Sequence, residues 1–333
     1  MTVRTRAAWF VWIRRIVQTS FVVLFFGLYF TTRYRDNAPP GAWFQLFFDI
    51  DPLILVGTWL STHAIPAGAL LALVTLAVTA LFGRVFCGWV CPLGAIHNGF
   101  SWLGRKLRKR KRVIDSFSHW QRAKYFLLVS LLVMALFGVH WFGIFDPMSF
   151  LYRSTATALH PAAQYVSEEG STAVYQSDPH VGPIRATLVT EPVYRFLRDH
   201  LFVTNRPVFL NGTLLMAVFV GIILLNLLQK RFWCRYICPL GALLGVVSNR
   251  TAVRLKNDKK ACTQCGLCAV ECPAAAEPDV PGEWQPRECF QCWNCVRACR
   301  TEAVDFAVEA PWRKPAAGQL DTSKRALLAS GLV

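Results

Sequence analysis

The sequence predicts a mainly α fold: a helical membrane bundle built from an internal repeat, followed by a small α+β domain. Three observations carry this expectation. Of 333 residues 54% are hydrophobic, with 12 tryptophans and 24 phenylalanines, and the mean hydropathy is +0.34, which lies outside the profile of ordinary soluble domains. A C-x3-C-P-L-G-A motif occurs twice, each time after an apolar run. The other eight of the 12 cysteines all lie between Cys262 and Cys299.

Four apolar runs approach the ~20 residues needed to cross a bilayer, at 16–30, 64–82, 125–145 and 208–228. Gln18, Thr19 and Ser20 interrupt the first. No small-residue cleavage site follows it, so it reads as a retained helix and not a signal peptide. The segments 42–60 and 148–159 are apolar and aromatic, as expected of interfacial or re-entrant pieces. The expected organisation is a first membrane repeat over 1–105, a basic cytoplasmic loop over 106–122 and a second membrane repeat over 123–250. A two-cluster domain over 251–310 follows. Residues 311–333 read as a linker and the start of a fifth, truncated membrane segment.

The formal net charge of +16 raises nucleic acid as a partner, and its distribution argues against it. Arg4, Arg6, Arg14 and Arg15 precede the first run, the basic stretch 105–112 follows the second, and Lys230, Arg231 and Arg235 follow the fourth. Such flanking charge suits a bilayer with anionic lipid. The positive-inside rule places the N-terminus and the C-terminal domain on the cytoplasmic side of a bacterial inner membrane.

The repeat reads Phe86-Cys-Gly-Trp-Val-Cys-Pro-Leu-Gly-Ala-Ile96 and Trp233-Cys-Arg-Tyr-Ile-Cys-Pro-Leu-Gly-Ala-Leu243. Each unit also carries an Asp-Pro, at Asp51-Pro52 and Asp146-Pro147. Either aspartate could cap a helix that begins at the proline or accept a quinol proton. The second unit holds an insertion over about 146–207, expected to form an external loop with short helices. Cys87 with Cys91, and Cys234 with Cys238, are spaced so that each pair can face one way from a helical turn, which Pro92 or Pro239 then ends or bends. Convergence of the two pairs would suit a third cluster, a soft metal such as copper(I), a redox dithiol, or free cysteines packed in a turn.

The C-terminal cysteines read Cys262-x2-Cys265-x2-Cys268-x3-Cys272-Pro273 and Cys289-x2-Cys292-x2-Cys295-x3-Cys299. This is the run of bacterial ferredoxins with two [4Fe–4S] clusters, in which each fourth cysteine ligates the other motif's cluster. One cluster then takes Cys262, Cys265, Cys268 and Cys299, and the other Cys289, Cys292, Cys295 and Cys272. Neither motif contains a histidine, which argues against structural zinc. Arg300 stands where a second proline would be. Haem is not expected: only His63 and His140 approach a matched pair, and His160, His180 and His200 are too widely spaced for a metal motif.

Two C-x3-C-P-L-G-A repeats followed by a two-cluster segment resemble the membrane-bound polyferredoxins. That family includes the membrane quinol-dehydrogenase subunit of periplasmic nitrate reduction, the C-terminal membrane part of the nitrous-oxide-reductase regulator, and the cytochrome-oxidase accessory iron–sulfur protein. The resemblance implies [4Fe–4S] ligation by the eight C-terminal cysteines and leaves the role of Cys87, Cys91, Cys234 and Cys238 open. It implies electron transfer between the quinone pool and a redox partner protein. The alternative is an assembly or copper-reducing factor for a metalloenzyme.

Overall fold

The computed structural model describes residues 2–32, 42–65, 67–107, 116–177, 180–181, 184–185, 187–202, 209–280 and 284–309. Most of them are helical, with two small antiparallel sheets. Helix α1 (Val3–Thr31) begins at Thr2, whose hydroxyl accepts from the Thr5 N–H at 3.3 Å. It buries Ala7, Val11, Arg14, Gln18, Phe25 and Tyr29, a stripe at helical spacing along one face. Its 29 residues make a strut of about 44 Å. Near its start Phe10 stacks on Trp293 at 4.5 Å and Arg6 pairs with Asp305, and near its end Tyr29 meets His160.

Helices α2 (Ala42–Asp49) and α3 (Pro52–Thr62), where an interfacial or re-entrant segment is expected, form an apolar pair bent by 80°. Helix α4 (Leu71–Phe82) stops at Gly83, which has φ +81°. A π-helical turn (Phe86–Val90) then leads into α5 (Pro92–Leu107). The second repeat contributes α6 (Ala123–Leu136), α7 (Phe142–Phe145) and α8 (Pro147–Ser154). Its insertion contains α9 (His160–Ser177), the hairpin of β1 (His180–Val181) and β2 (Ile184–Arg185), and α10 (Thr187–His200). Helices α11 (Gly212–Leu225), α12 (Phe232–Tyr236) and α13 (Pro239–Val247) complete the repeat.

The C-terminal part pairs β3 (Val253–Asn257) with β4 (Val304–Val308), with Leu255 opposite Phe306, around α14 (Leu267–Glu271) and α15 (Asn294–Ala298). One continuous core runs from Phe25 and Leu131 through the repeat cysteines to Phe290 and Phe306.

Three expectations change. Among the described residues only α1 is long and apolar enough to cross a membrane alone. The run 125–145 breaks at Gly138, whose φ is +78°, and α4, α6 and α11 have 12, 14 and 14 residues. The insertion is far more helical than a loop with short pieces, since α9 alone has 18 residues. Arg14, Arg231 and Arg235, read above as membrane-flanking charges, are at most 1% exposed. Residues 108–115 of the basic loop and 310–333, with the expected fifth segment, lie outside the described residues. Large exposed apolar side chains line α1 (Ile16, Val23, Leu24), α4 (Leu73, Val74), α6 (Phe126, Val129) and α11 (Leu214, Val218).

Candidate functional site

The two repeats bring their cysteines together in the same local form. Cys87 lies in the π-helical turn and Cys234 in α12, while Cys91 and Cys238 stand immediately before Pro92 and Pro239. The prolines occupy the first position of α5 and α13, where a missing N–H does no harm. The thiols of Cys91 and Cys238 accept from the N–H of Gly94 and Gly241 at 3.4 and 3.2 Å. All four thiols are buried. Cys238 has Cys234, Cys87 and Cys91 as electrostatic neighbours, and Cys91 has Cys234 and Cys87. Burial pushes the Cys91, Cys234 and Cys238 thiols above their ordinary range, and neighbouring sulfurs push Cys91 and Cys238 further.

The repeat extends three residues upstream of the motif, as Arg84-Val-Phe-Cys87 and Arg231-Phe-Trp-Cys234. That equal offset was readable in the sequence and identifies two further residues of the site. Both arginines are fully buried and each reaches toward the other repeat. Arg231 Nη1 donates to the Cys87 carbonyl at 3.0 Å, and Arg84 Nη2 stands 2.6 Å from where a Gly241 β-carbon would be.

Between them sits Phe290, which lies between Cys289 and Cys292 of the second C-terminal motif. The Arg84 and Arg231 guanidinium carbons lie 4.9 and 4.7 Å from its ring centre, within cation–π range on a desolvated ring. Trp89 Nε1 donates to the Gln291 carbonyl at 3.1 Å, and Gln18 Nε2 donates to the Gly88 carbonyl at 2.6 Å. Beside this contact Glu288 is buried, paired with Arg84 at 3.3 Å and with Lys124, and accepts from the Tyr125 hydroxyl at 3.1 Å. No periodicity or spacing marks Glu288 or Phe290.

A small cavity in the C-terminal part is lined by Cys272, Cys289, Cys292 and Cys295, with Leu255, Trp284 and Phe306 around them. These four cysteines are the crossed set expected of one cluster, and the side chains around them are mostly apolar. Cys268 and Cys299, from opposite motifs, are electrostatic neighbours. Burial, with Cys292 nearby, pushes the Cys272 thiol up to about 11. Cys265 is exposed and Cys262 half-buried. Among the described residues no three His, Cys, Asp or Glu side chains lie close enough to hold a single ion.

Asp51 and Asp146 are both fully buried and cap α3 and α8, each accepting a backbone N–H at 2.8 Å. They are also electrostatic neighbours, and Asp51 Oδ2 and Asp146 Oδ1 are buried with no hydrogen-bond partner among the described residues, a pairing the sequence did not indicate. His63 and His140 are exposed, whereas His97, not singled out by its context, is buried with Nδ1 against Asn226. His160 packs on Tyr29 and Phe30.

The "4Fe-4S binding domain" family model matches residues 64–111 and 211–256, one match on each cysteine pair. The "4Fe-4S dicluster domain" model matches residues 254–300. The chain is 24% identical to the ferredoxin-type protein NapH of Haemophilus influenzae over 90% of this chain and 89% of the relative. It is 28% identical to the methylamine utilization ferredoxin-type protein MauN of Methylorubrum extorquens over 69% of this chain and 61% of the relative. It is 28% identical to the regulatory protein NosR of Pseudomonas aeruginosa over 66% of this chain, which spans 24% of NosR. No solved structure matches. With cysteine sets grouped as described and family models on all three cysteine regions, the chain is an iron–sulfur electron-transfer protein that resembles the membrane polyferredoxins NapH and NosR.

Proposed function

We propose that the chain is a multi-pass inner-membrane protein that passes electrons between the quinone pool and a redox partner protein. Cys262, Cys265, Cys268 and Cys299 would hold one [4Fe–4S] cluster, and Cys289, Cys292, Cys295 and Cys272 a second. Bound clusters supply reversible one-electron transfer. The observation that carries this reading is the seat of Phe290 between Arg84 and Arg231. Through it, and through Gly88 and Trp89, the second C-terminal motif packs against the cysteine-bearing turn of the first repeat. Cys87, Cys91, Cys234 and Cys238 form a third metal or redox site on this reading. Its support is charge: Arg231 has buried Nε and Nη2 groups without an acceptor among the described residues, and buried cations need an anion. Deprotonated thiols holding a metal group would provide one.

The membrane placement rests on the exposed apolar side chains of α1, α4, α6 and α11, which exceed what a soluble monomer shows to water. On this reading α1 crosses as a single helix and the shorter α4, α6 and α11 cross together with the apolar residues that flank them, with the N-terminus and the cluster segment cytoplasmic. Adding a reduced quinol analogue to the oxidised, detergent-solubilised protein should bleach the cluster absorbance. Failure with every quinol tried, in a preparation that dithionite reduces, would remove the quinol assignment. Four buried thiols that are electrostatic neighbours across the two repeats favour a second reading, a copper-handling assembly factor. Stoichiometric copper(I) binding that is lost in Cys91→Ala and Cys238→Ala would favour it.

A further inference from the structure

We propose that the cleft between α1, α5, α14 and α15 binds the phosphodiester headgroup of an anionic membrane lipid, with Arg14 as its innermost contact. The inference rests on the membrane reading above and adds a ligand to it. The cleft has a volume of about 890 Å³. From α1 it receives Arg4, Arg14 and Arg15, and from α5 Arg105 and Lys106. Lys230, Arg297 and Arg300 face it from the other side, and Glu271 is the one carboxylate among its lining residues. Arg105 already pairs with that carboxylate at 3.5 Å. Among the described residues that line the cleft, no second carboxylate faces Arg4, Arg14, Arg15, Lys106, Arg297 and Arg300.

Arg14 makes this more than a basic surface. It is 1% exposed, and its Nη2 donates to Asn294 Oδ1 at 3.2 Å. Its Nε and Nη1 have no acceptor among the described residues. A buried guanidinium with an open edge is costly unless an anion takes that edge, and its planar fork matches two phosphate oxygens. Leu227 and Leu228, which follow α11, and Trp102 add an apolar wall. The cleft is large for a free phosphate and suits a headgroup with its first acyl carbons, at the depth where tryptophan and basic side chains meet a bilayer surface. Basic pockets between membrane helices on the cytoplasmic side are known takers of such headgroups. A lipid there would also bridge α1 to α14 and α15, holding the cysteine-bearing helices against the membrane part.

The test is native mass spectrometry of the full chain in mild detergent, titrated separately with tetraoleoyl cardiolipin, dioleoyl phosphatidylglycerol and dioleoyl phosphatidylcholine. The anionic lipids should bind at least about tenfold more tightly than phosphatidylcholine, the scale of a charge-assisted contact. Arg14→Gln should remove that preference, Arg300→Gln at the rim should weaken it, and Arg122→Gln, outside the cleft, should leave it intact. Equal binding of phosphatidylcholine would overturn the proposal. So would an unchanged preference in Arg14→Gln or, if that variant does not fold, in Arg297→Gln combined with Arg300→Gln. Inorganic phosphate that displaces the lipids at equal concentration would overturn the lipid assignment in favour of a soluble anion. The readings fail separately: a chain recovered without detergent defeats the membrane placement, whereas lost lipid selectivity leaves quinol-driven bleaching untouched.

Discussion

The Phe290 carbonyl oxygen lies 2.2 Å from where a β-carbon on Gly88 would stand, so any side chain at position 88 forces the docked backbone of the second C-terminal motif to shift. The matching position of the second repeat is Arg235. Two otherwise alike turns therefore differ in whether they can receive that loop. Gly88→Ala should lower stability by about 1–3 kcal/mol, the range for overpacking, and should reduce iron content along with it. Gly27→Ala, where nothing lies within 4 Å, should leave both near wild type. Equal thermal midpoints for the two variants would show that the loop is not held by this contact.

The grouping of Cys272 with Cys289, Cys292 and Cys295 around one cavity predicts a crossed pattern of damage. Anaerobically purified protein should carry about eight iron and eight sulfide per chain in its C-terminal part. Cys272→Ser should impair the cluster of the second motif, and Cys299→Ser that of the first. Paramagnetic resonance of the reduced variants would separate the two signals. Loss of the first motif's signal in Cys272→Ser would exclude the crossed scheme.

The parts of this molecule legible in the sequence are those governed by spacing. Cysteine intervals, the repeated C-x3-C-P-L-G-A and the Asp-Pro caps depend on local geometry, and the structure contains both helices that start at those prolines. Helix lengths were less legible, because hydropathy does not register a break such as Gly138, where an apolar run changes direction. Buried charge was the least legible. Arg14 and Arg231 sit at helix ends in the sequence, as lipid-facing residues do, and only tertiary packing reveals that they point inward. Gln18, which interrupted the first apolar run, is the side chain that binds the Gly88 carbonyl.

The proposed orientation, with the N-terminus and the cluster segment cytoplasmic, can be checked directly. Reporter fusions after residues 110 and 260 should report cytoplasm, and one near residue 175, in α9, the external side. A cytoplasmic signal at residue 175 would overturn the four-span arrangement.

Among the described residues Glu288 is the one carboxylate paired with the buried Arg84 and Lys124. Glu288→Ala strands both cations and should cost about 3–5 kcal/mol, as breaking a buried ion pair from one side does. Lys124→Met should cost less, since Arg84 still satisfies the carboxylate. Combined, the two changes should be less damaging than their sum, because the methionine removes one of the stranded charges. Strict additivity in denaturant titrations would mean that the three groups do not act as a unit.

Asp51 and Asp146, one from each repeat, are buried electrostatic neighbours whose Oδ2 and Oδ1 have no hydrogen-bond partner among the described residues, as expected where two carboxyl groups share one hydrogen bond. Such a bond needs a proton on one of them, because two ionised carboxylates can only accept. The pair should therefore hold one proton at neutral pH, visible as a protonated-carboxyl stretch in the infrared spectrum. Asn can replace the protonated member, since its amide also donates and its oxygen can still cap the helix. One of the two variants Asp51→Asn and Asp146→Asn should then keep near wild-type stability and lose the infrared band. Asp51→Ala should cost about 1–3 kcal/mol by removing a cap and leaving a buried acceptor unpaired. A wild-type spectrum without the band would show both groups ionised and would remove the shared proton. If the band persists in the stable Asn variant, it arises from another carboxyl, and the pair is a joint between repeats with no proton to give or take during quinol oxidation.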